Sequence, residues 1–180
     1  MEIETRFINL DPKEVERKLA EAGAKKVSDK FFKEKLFYHD TDTWISRNRR
    51  VRVRDDGETV RLTYKENEVD TVDGTTEIEF TVSSADAAAE FIAALDIPLR
   101  RYQEKKRVTY KLNGITFDLD FWPKIPMVLE IEADSEEKVR EGVALLGLGW
   151  KDAIFVDQSI LHRQYYGIDL RNVERYVFGK

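Results

Sequence analysis

A chain of 180 residues can bury the core of one domain unaided, and the absence of cysteine excludes disulfide frameworks, thiolate catalysis and zinc–thiolate sites. Lys+Arg number 30 against 35 Asp+Glu, a formal net charge of -5, so no general attraction to nucleic acid or acidic membranes is expected. No apolar run reaches the length of a transmembrane helix, and the opening Met1-Glu2-Ile3-Glu4 lacks the pattern of a secretion signal; a cytoplasmic protein is the expectation.

In chain order, the first segment alternates as a strand centred near Glu4, with Glu2, Glu4 and Arg6 on one face and Ile3 and Phe7 on the other. A helix is predicted from near Pro12 to Ala22: Asp11 can cap it, Pro12 suits its first position, Val15 and Leu19 share a face, and Gly23 ends it. Strands centred near Phe37 and Arg52 follow, the latter setting Arg50, Arg52 and Arg54 against Val51 and Val53. The Asp55-Asp56-Gly57 turn then leads into a strand near Thr63, with Arg61, Thr63 and Lys65 opposite Val60, Leu62 and Tyr64. Near Glu79, Glu77 and Glu79 oppose Ile78 and Phe80. A second helix is predicted over roughly Asp86 to Leu95, opened by Ser84.

The strand near Arg107 sets Lys105 and Arg107 across from Val108 and Tyr110, and Asn113-Gly114 turns it into one near Leu119, with Asp118 and Asp120 across from Phe117, Leu119 and Phe121. Around Ile131, Glu130 and Glu132 oppose Leu129 and Ile131. A third helix begins after Asp134-Ser135, with Val139, Val143 and Leu146 on one face, and ends at Gly147; a shorter one is predicted near Gln158 to Tyr166. Phe155, Tyr165, Tyr166, Tyr176 and Phe178 are expected to pack within the chain, a homodimer being the alternative. His39 and His162 are too few and too far apart to suggest a metal cluster, and both read as ordinary packing or surface residues. No repeat or linker divides the chain, so residues 1–180 read as a single domain.

One strand with a charged face is ordinarily the solvated side of an antiparallel sheet. Seven such strands, with arginines gathered on some and carboxylates on others, are different: cross-strand neighbours sit about 5 Å apart, so rows of like charge repel unless counter-ions or a ligand intervene. The pattern favours an α+β fold in which an eight-stranded antiparallel sheet closes into a barrel, apolar face outward under helices and charged face inward. A charged interior is costly if left unpaired and implies ion pairs, water and a charged guest. Arginine forks and lysine suit phosphate; carboxylates without histidine or cysteine suit magnesium or manganese. Both together point to a metal-bound polyphosphate.

These residues resemble the CYTH family, the triphosphate tunnel metalloenzymes, which includes class IV adenylyl cyclases, thiamine triphosphatases and inorganic triphosphatases. The signature Glu-x-Glu-x-Lys is matched by Glu2-Ile3-Glu4-Thr5-Arg6. It is followed in order by Tyr38-His39-Asp40-Thr41, Val51-Arg52-Val53-Arg54, Leu62-Thr63-Tyr64-Lys65, Glu77-Ile78-Glu79, Lys105-Lys106-Arg107, Asp118-Leu119-Asp120 and Glu130-Ile131-Glu132.

The resemblance implies that Arg52, Arg54, Lys65, Lys105 and Arg107 hold a triphosphate, and that Glu2, Glu4, Glu130, Glu132 and Asp120 coordinate Mg2+ or Mn2+. Glu77 and Glu79 match an acidic pair that binds metal or orients basic neighbours. Arg50, Arg61 and Asp118 fit the alternation, as ion pairs or ligand contacts. Glu4 and Arg6 are the catalytic candidates, and Arg6 departs from the family lysine: arginine stays charged and does not exchange protons readily. A second departure is Pro123-Lys124-Ile125-Pro126, where many relatives carry a glycine-bearing loop. The function implied is a metal-dependent hydrolase of inorganic, thiamine or nucleoside triphosphate; the alternatives are a class IV adenylyl cyclase and a noncatalytic triphosphate-binding protein.

Overall fold

Alternating side chains demand a sheet, and the computed structural model, which describes residues 3–67 and 75–179, contains nine strands. In chain order the elements are β1 (Ile3–Phe7), α1 (Pro12–Glu21), β2 (Lys25–Phe37), α2 (Asp42–Ser46), β3 (Arg50–Asp55), β4 (Val60–Asn67), β5 (Thr75–Val82) and α3 (Ala85–Ala94). There follow β6 (Leu99–Leu112), β7 (Ile115–Phe121), β8 (Val128–Ala133), α4 (Glu136–Leu145), α5 (Gln158–Tyr166) and the short β9 (Arg175–Tyr176). The fold is α+β, with no helix long and apolar enough to cross a membrane among the described residues.

The hydrogen-bonded order is β1-β8-β7-β6-β2-β3-β4-β5, with β9 beside β6. The ladders β1–β8, β7–β8, β6–β7, β2–β3, β3–β4 and β4–β5 are antiparallel; β9 runs parallel to β6. Closure of the expected barrel is not confirmed by the hydrogen bonding. Among the described residues the ladder begins at β1 and ends at β5 without a hydrogen-bonded join. One physical reason lies at β1, where Arg6 exchanges backbone hydrogen bonds with Ile154 at 2.8 and 2.9 Å, so the edge groups at that point are satisfied from the C-terminal segment. A correction concerns the strand expected around Phe37, because Phe37 is the last residue of β2 rather than its centre.

The chain gathers into two compact units, Met1–Lys30 with Lys105–Leu170 and Phe178–Lys180, and Phe31–Glu104 with Arg171–Val177. In the first, Val15 and Leu19 of α1 and Val139 and Val143 of α4 cover Val108 of β6, Phe117 and Leu119 of β7, and Leu129 and Ile131 of β8. Each fully buried Leu, Ile or Phe of this layer contributes roughly 1.5–3 kcal/mol. Asp11 caps α1 by accepting from the Lys13 N–H, and Ser135 caps α4 by accepting from that of Lys138. Gly142 lets α4 approach the sheet: a Cβ there would fall 3.0 Å from a methyl of Ile131 and 3.2 Å from the Phe117 ring. Asn113 and Gly114, both at positive φ, make the two-residue turn from β6 to β7.

In the second unit α3, capped by Ser84, lays Ala88 and Ile92 on Phe37 and Val53, with Val51, Val60, Leu62 and Val82 packed around them. The β3–β4 turn is fixed by Asp55, which accepts from the Gly57 N–H, and by Asp56, which accepts from those of Glu58 and Thr59. Helices α1 and α4 in the first unit and α3 in the second lie on the apolar side of the strands, leaving the charged side for the groups described next.

Candidate functional site

In the first unit the antiparallel register places Glu4 opposite Glu132 and Arg6 opposite Glu130, then Glu130 opposite Asp118, and Asp120 opposite Arg107. Carboxylate oxygens of Glu4, Glu130 and Glu132 thereby come within 4.8 Å of one another. Much of the face is withdrawn from solvent: Asp118, Asp120, Glu130, Lys105 and Arg6 are buried and Glu132 is half-buried, while Glu4 is exposed. Two guanidinium groups offset the carboxylate repulsion. Nη2 of Arg6 lies 2.7 Å from Glu4 Oε1 and 2.8 Å from Glu130 Oε2, while its Nη1 donates to the Val156 carbonyl at 2.8 Å. Arg107 grips Asp120 with Nε and Nη2, both at 2.6 Å, reaches Asp118 through Nη1, and meets the other Glu130 oxygen at 3.2 Å. Lys105 adds a third cation, 3.2 Å from Asp120 and over the Trp122 ring.

These partners decide the protonation states. Burial works against the charge of both arginines, but Glu130 and Glu4 around Arg6, and Asp120, Glu130 and Asp118 around Arg107, raise both above the ordinary guanidinium range. Burial also works against ionised Asp120, yet Lys105 and Arg107 pull its carboxyl down to about 2. Asp118 moves the other way, raised first by burial and only partly relieved by Arg107. Because the folded pKa of Asp120 lies below its unfolded value near 4, its contribution is fully present above pH 4 and is lost as pH falls toward 2. Urea unfolding of wild type and Asp120→Asn should therefore show a stability gap that narrows by about 2 kcal/mol between pH 5 and pH 2; a gap independent of pH would refute the assignment.

The second unit carries the basic rows. Arg54 is held through Nε by Glu34, a carboxylate only 1% exposed, and stacks over Phe32 at 4.8 Å. Arg52, mostly buried, reaches only a 3.5 Å bond to the Thr63 hydroxyl and carboxylates at 3.8 and 4.0 Å, and its Nε makes no hydrogen bond. Burial first, then repulsion from Arg54 and Arg50, bring Arg52 down to about 10 against the pull of Glu34. It remains a cation at neutral pH, buried and poorly compensated, which is the state an anionic ligand relieves. Glu79 accepts from Thr63 and Arg61, and Lys65 pairs with Glu77 at 3.2 Å. Beyond them Glu66, lowered to about 2 by the Tyr64 hydroxyl, Arg47 and Arg49, ties the segment that follows α2 to β4.

A chain that sorts acid and base strand by strand in this way has known counterparts. The model of the CYTH domain matches residues 1–147.

The chain belongs to the CYTH family.

It is similar to the PH1012 protein of Pyrococcus horikoshii, 26% identical over 87% of this chain and 96% of that one, with a TM-score of 0.71. It shares its fold with an adenylate cyclase candidate of Vibrio parahaemolyticus, 10% identical over 89% of this chain and 96% of that one, TM-score 0.74. The same holds for a Hippeastrum adenylyl cyclase candidate described as having a dominant triphosphatase activity, 15% identical over 96% and 100% of the two chains, TM-score 0.61. No curated protein matches the sequence.

Against this CYTH frame, Glu4, Arg6, Lys105, Arg107, Asp120, Glu130 and Glu132 come together in the first unit, and Arg50, Arg52, Arg54, Arg61, Lys65, Glu77 and Glu79 belong to the second. Glu2 lies outside the described residues. Asp120, Glu77 and Glu79 are not in the three-carboxylate cluster; each is instead paired with basic neighbours. His162 is buried, its Nδ1 2.8 Å from the Gln158 carbonyl oxygen and its ring edge-on to Trp122, and His39 packs against Trp44. Of the C-terminal aromatics Tyr176 is fully buried, whereas Phe155, Tyr165 and Phe178 are exposed. Sequence reasoning missed Glu34, Gln103 and Arg101. Arg101 and Gln103 are signalled by a polar residue recurring at every second position of β6 from Arg101 to Arg107, whereas Glu34 lies on β2.

Proposed function

We propose that this CYTH protein is a metal-dependent triphosphatase acting on inorganic triphosphate or a small organic triphosphate, with residues 1–180 acting as one catalytic domain in the cytoplasm. The observation that carries the reading is the convergence of Glu4, Glu130 and Glu132 within 4.8 Å beside Arg6 and Arg107. Three carboxylates without imidazole or thiolate fit a hard cation, magnesium or manganese, with Glu2 as a further ligand. When bound, such an ion would polarise a phosphoryl oxygen and lower the pKa of a coordinated water.

The remaining work falls to the chain's own residues. Lys105 and Arg107, ordered by Asp120, would hold phosphoryl oxygens near the carboxylates of the first unit; within the second unit, Arg52, Arg54, Lys65 and Arg50 form basic rows suited to phosphate oxygens. Glu77 and Glu79 orient Lys65 and Arg61. Glu4 engages Arg6 through Oε1, and its Oε2 would accept a proton from the attacking water. Arg6, held cationic, orients Glu4 and Glu130 and takes no part in proton transfer.

The test is phosphate release by the purified full chain with magnesium or manganese. Release from inorganic, thiamine or nucleoside triphosphate is expected. Cyclic AMP and pyrophosphate from ATP would instead make the protein a class IV adenylyl cyclase, and triphosphate binding without turnover a noncatalytic binder.

A further inference from the structure

The basic face of the second unit has a feature that neither phosphate binding nor simple charge balance requires: a carboxylate buried beneath its arginines. Glu34 of β2 sits opposite Arg54 of β3 in the register and is 1% exposed. One of its oxygens accepts from Arg54 Nε and the other from the Gln103 amide, while Gln103 accepts in turn from Arg101 Nε at 2.7 Å. Arg101 and Gln103 are themselves buried. Arg54 has no other hydrogen bond among the described residues, and Phe32 lies under its guanidinium.

A guanidinium has three donor positions. When a fixed carboxylate occupies Nε and an aromatic ring covers one face, the two terminal nitrogens are left as a fork of fixed direction, the geometry that binds a phosphate in bidentate fashion. Glu34 also stands 4.0 Å from Arg52, whose Nε is buried without a partner, so it partly offsets the repulsion between two neighbouring arginines. We infer that Glu34, fixed from behind by Gln103 and Arg101, is a positioning residue that presents the Arg54 fork to an oxyanion of the triphosphate. This rests on the proposed function in naming the ligand, but the geometry of Arg54 is testable without any ligand.

The inference separates from plain electrostatics by sign. Glu34→Gln keeps the shape of the side chain and makes the basic face more positive by one charge. If Glu34 were only a counter-charge, inorganic triphosphate would bind more tightly. If it aims Arg54, binding weakens, by about tenfold for one misdirected charge-assisted pair.

Three measurements on the full-length protein decide it. Titration calorimetry with inorganic triphosphate in metal-free buffer should show the weaker affinity in Glu34→Gln; unchanged or tighter binding overturns the inference. Nuclear magnetic resonance of the arginine Nε–H signals should show slow exchange at Arg54 in the wild type and at least about tenfold faster exchange in Glu34→Gln, with loss of one strong hydrogen bond; equal exchange also overturns it. Should Glu34→Gln fail to fold, the comparison of Arg54→Gln with the double variant Glu34→Gln/Arg54→Gln replaces it. The double variant leaves no buried charge of the pair unmatched, and the same affinity in both is expected if Glu34 acts through Arg54. A further loss in the double variant would contradict that route. Absence of triphosphate binding by the wild type counts against the proposed function, whereas the Arg54 exchange result speaks to Glu34 alone.

Discussion

Glu130→Gln should abolish most metal-dependent phosphate release, by on the order of a thousandfold, and destabilise the protein by about 3 kcal/mol. No other residue of the charged face joins so many roles. Glu130 is a member of the three-carboxylate cluster, and its two oxygens are divided between Arg6 at 2.8 Å and Arg107 at 3.2 Å. An amide in its place keeps one acceptor but turns the other end into a donor facing a guanidinium, and it removes a full negative charge from the proposed metal ligands. The stability cost lies toward the lower end of that for a broken buried pair. Arg6 retains Glu4 and the Val156 carbonyl, and Arg107 retains Asp118 and Asp120. Phosphate release at saturating manganese and urea unfolding measure the two effects separately. A variant that hydrolyses triphosphate at the wild-type rate removes Glu130 from the metal set and with it the main support for the hydrolase reading.

The same residue shows what the sequence could and could not tell. Alternation put Glu130 and Glu132 on one face of β8 and Leu129 and Ile131 on the other, and the helix caps at Asp11, Ser84 and Ser135 were legible because capping is a local matter of side chain and backbone. Period two does not say whether a charged face meets water, and the burial of the Asp118 and Asp120 face of β7 along with the Phe117 and Leu119 face appears only once the neighbouring strands are in place. Glu34 was hidden for a related reason. It shares a face of β2 with Phe32 and Leu36, while the opposite face carries Phe31, Lys33, Lys35 and Phe37, so neither face is cleanly polar. The bridge from Ile154 to Arg6 rests on backbone groups, which every residue possesses, and leaves no mark in residue type. Two residues of β9 are too few to show a period.

Arg6→Lys should raise manganese affinity on the order of tenfold to a hundredfold, because the native arginine already spans two of the three proposed ligands. Its guanidinium reaches Glu4, Glu130 and the Val156 carbonyl at once, with two nitrogens pointing to different sides. The ammonium of lysine ends a shorter side chain and cannot reproduce that spread, so at least one charge-assisted bond, worth about 1.5–3 kcal/mol, is surrendered to an incoming cation. Burial strengthens the argument: Arg6 is held above the ordinary guanidinium range by the same carboxylates and stays a fixed positive charge at any pH at which metal binds. The segment around Ile154 to Val156, which adds to the hold of Glu4 and Glu130, follows the region matched by the CYTH model, so part of the grip on Arg6 comes from outside the matched part. Calorimetric or electron-paramagnetic titration with manganese, without substrate, reads the affinity directly. Equal affinity in both proteins would mean that Arg6 swings clear of Glu4 and Glu130 at no cost, and that the cluster is not governed by its arginine.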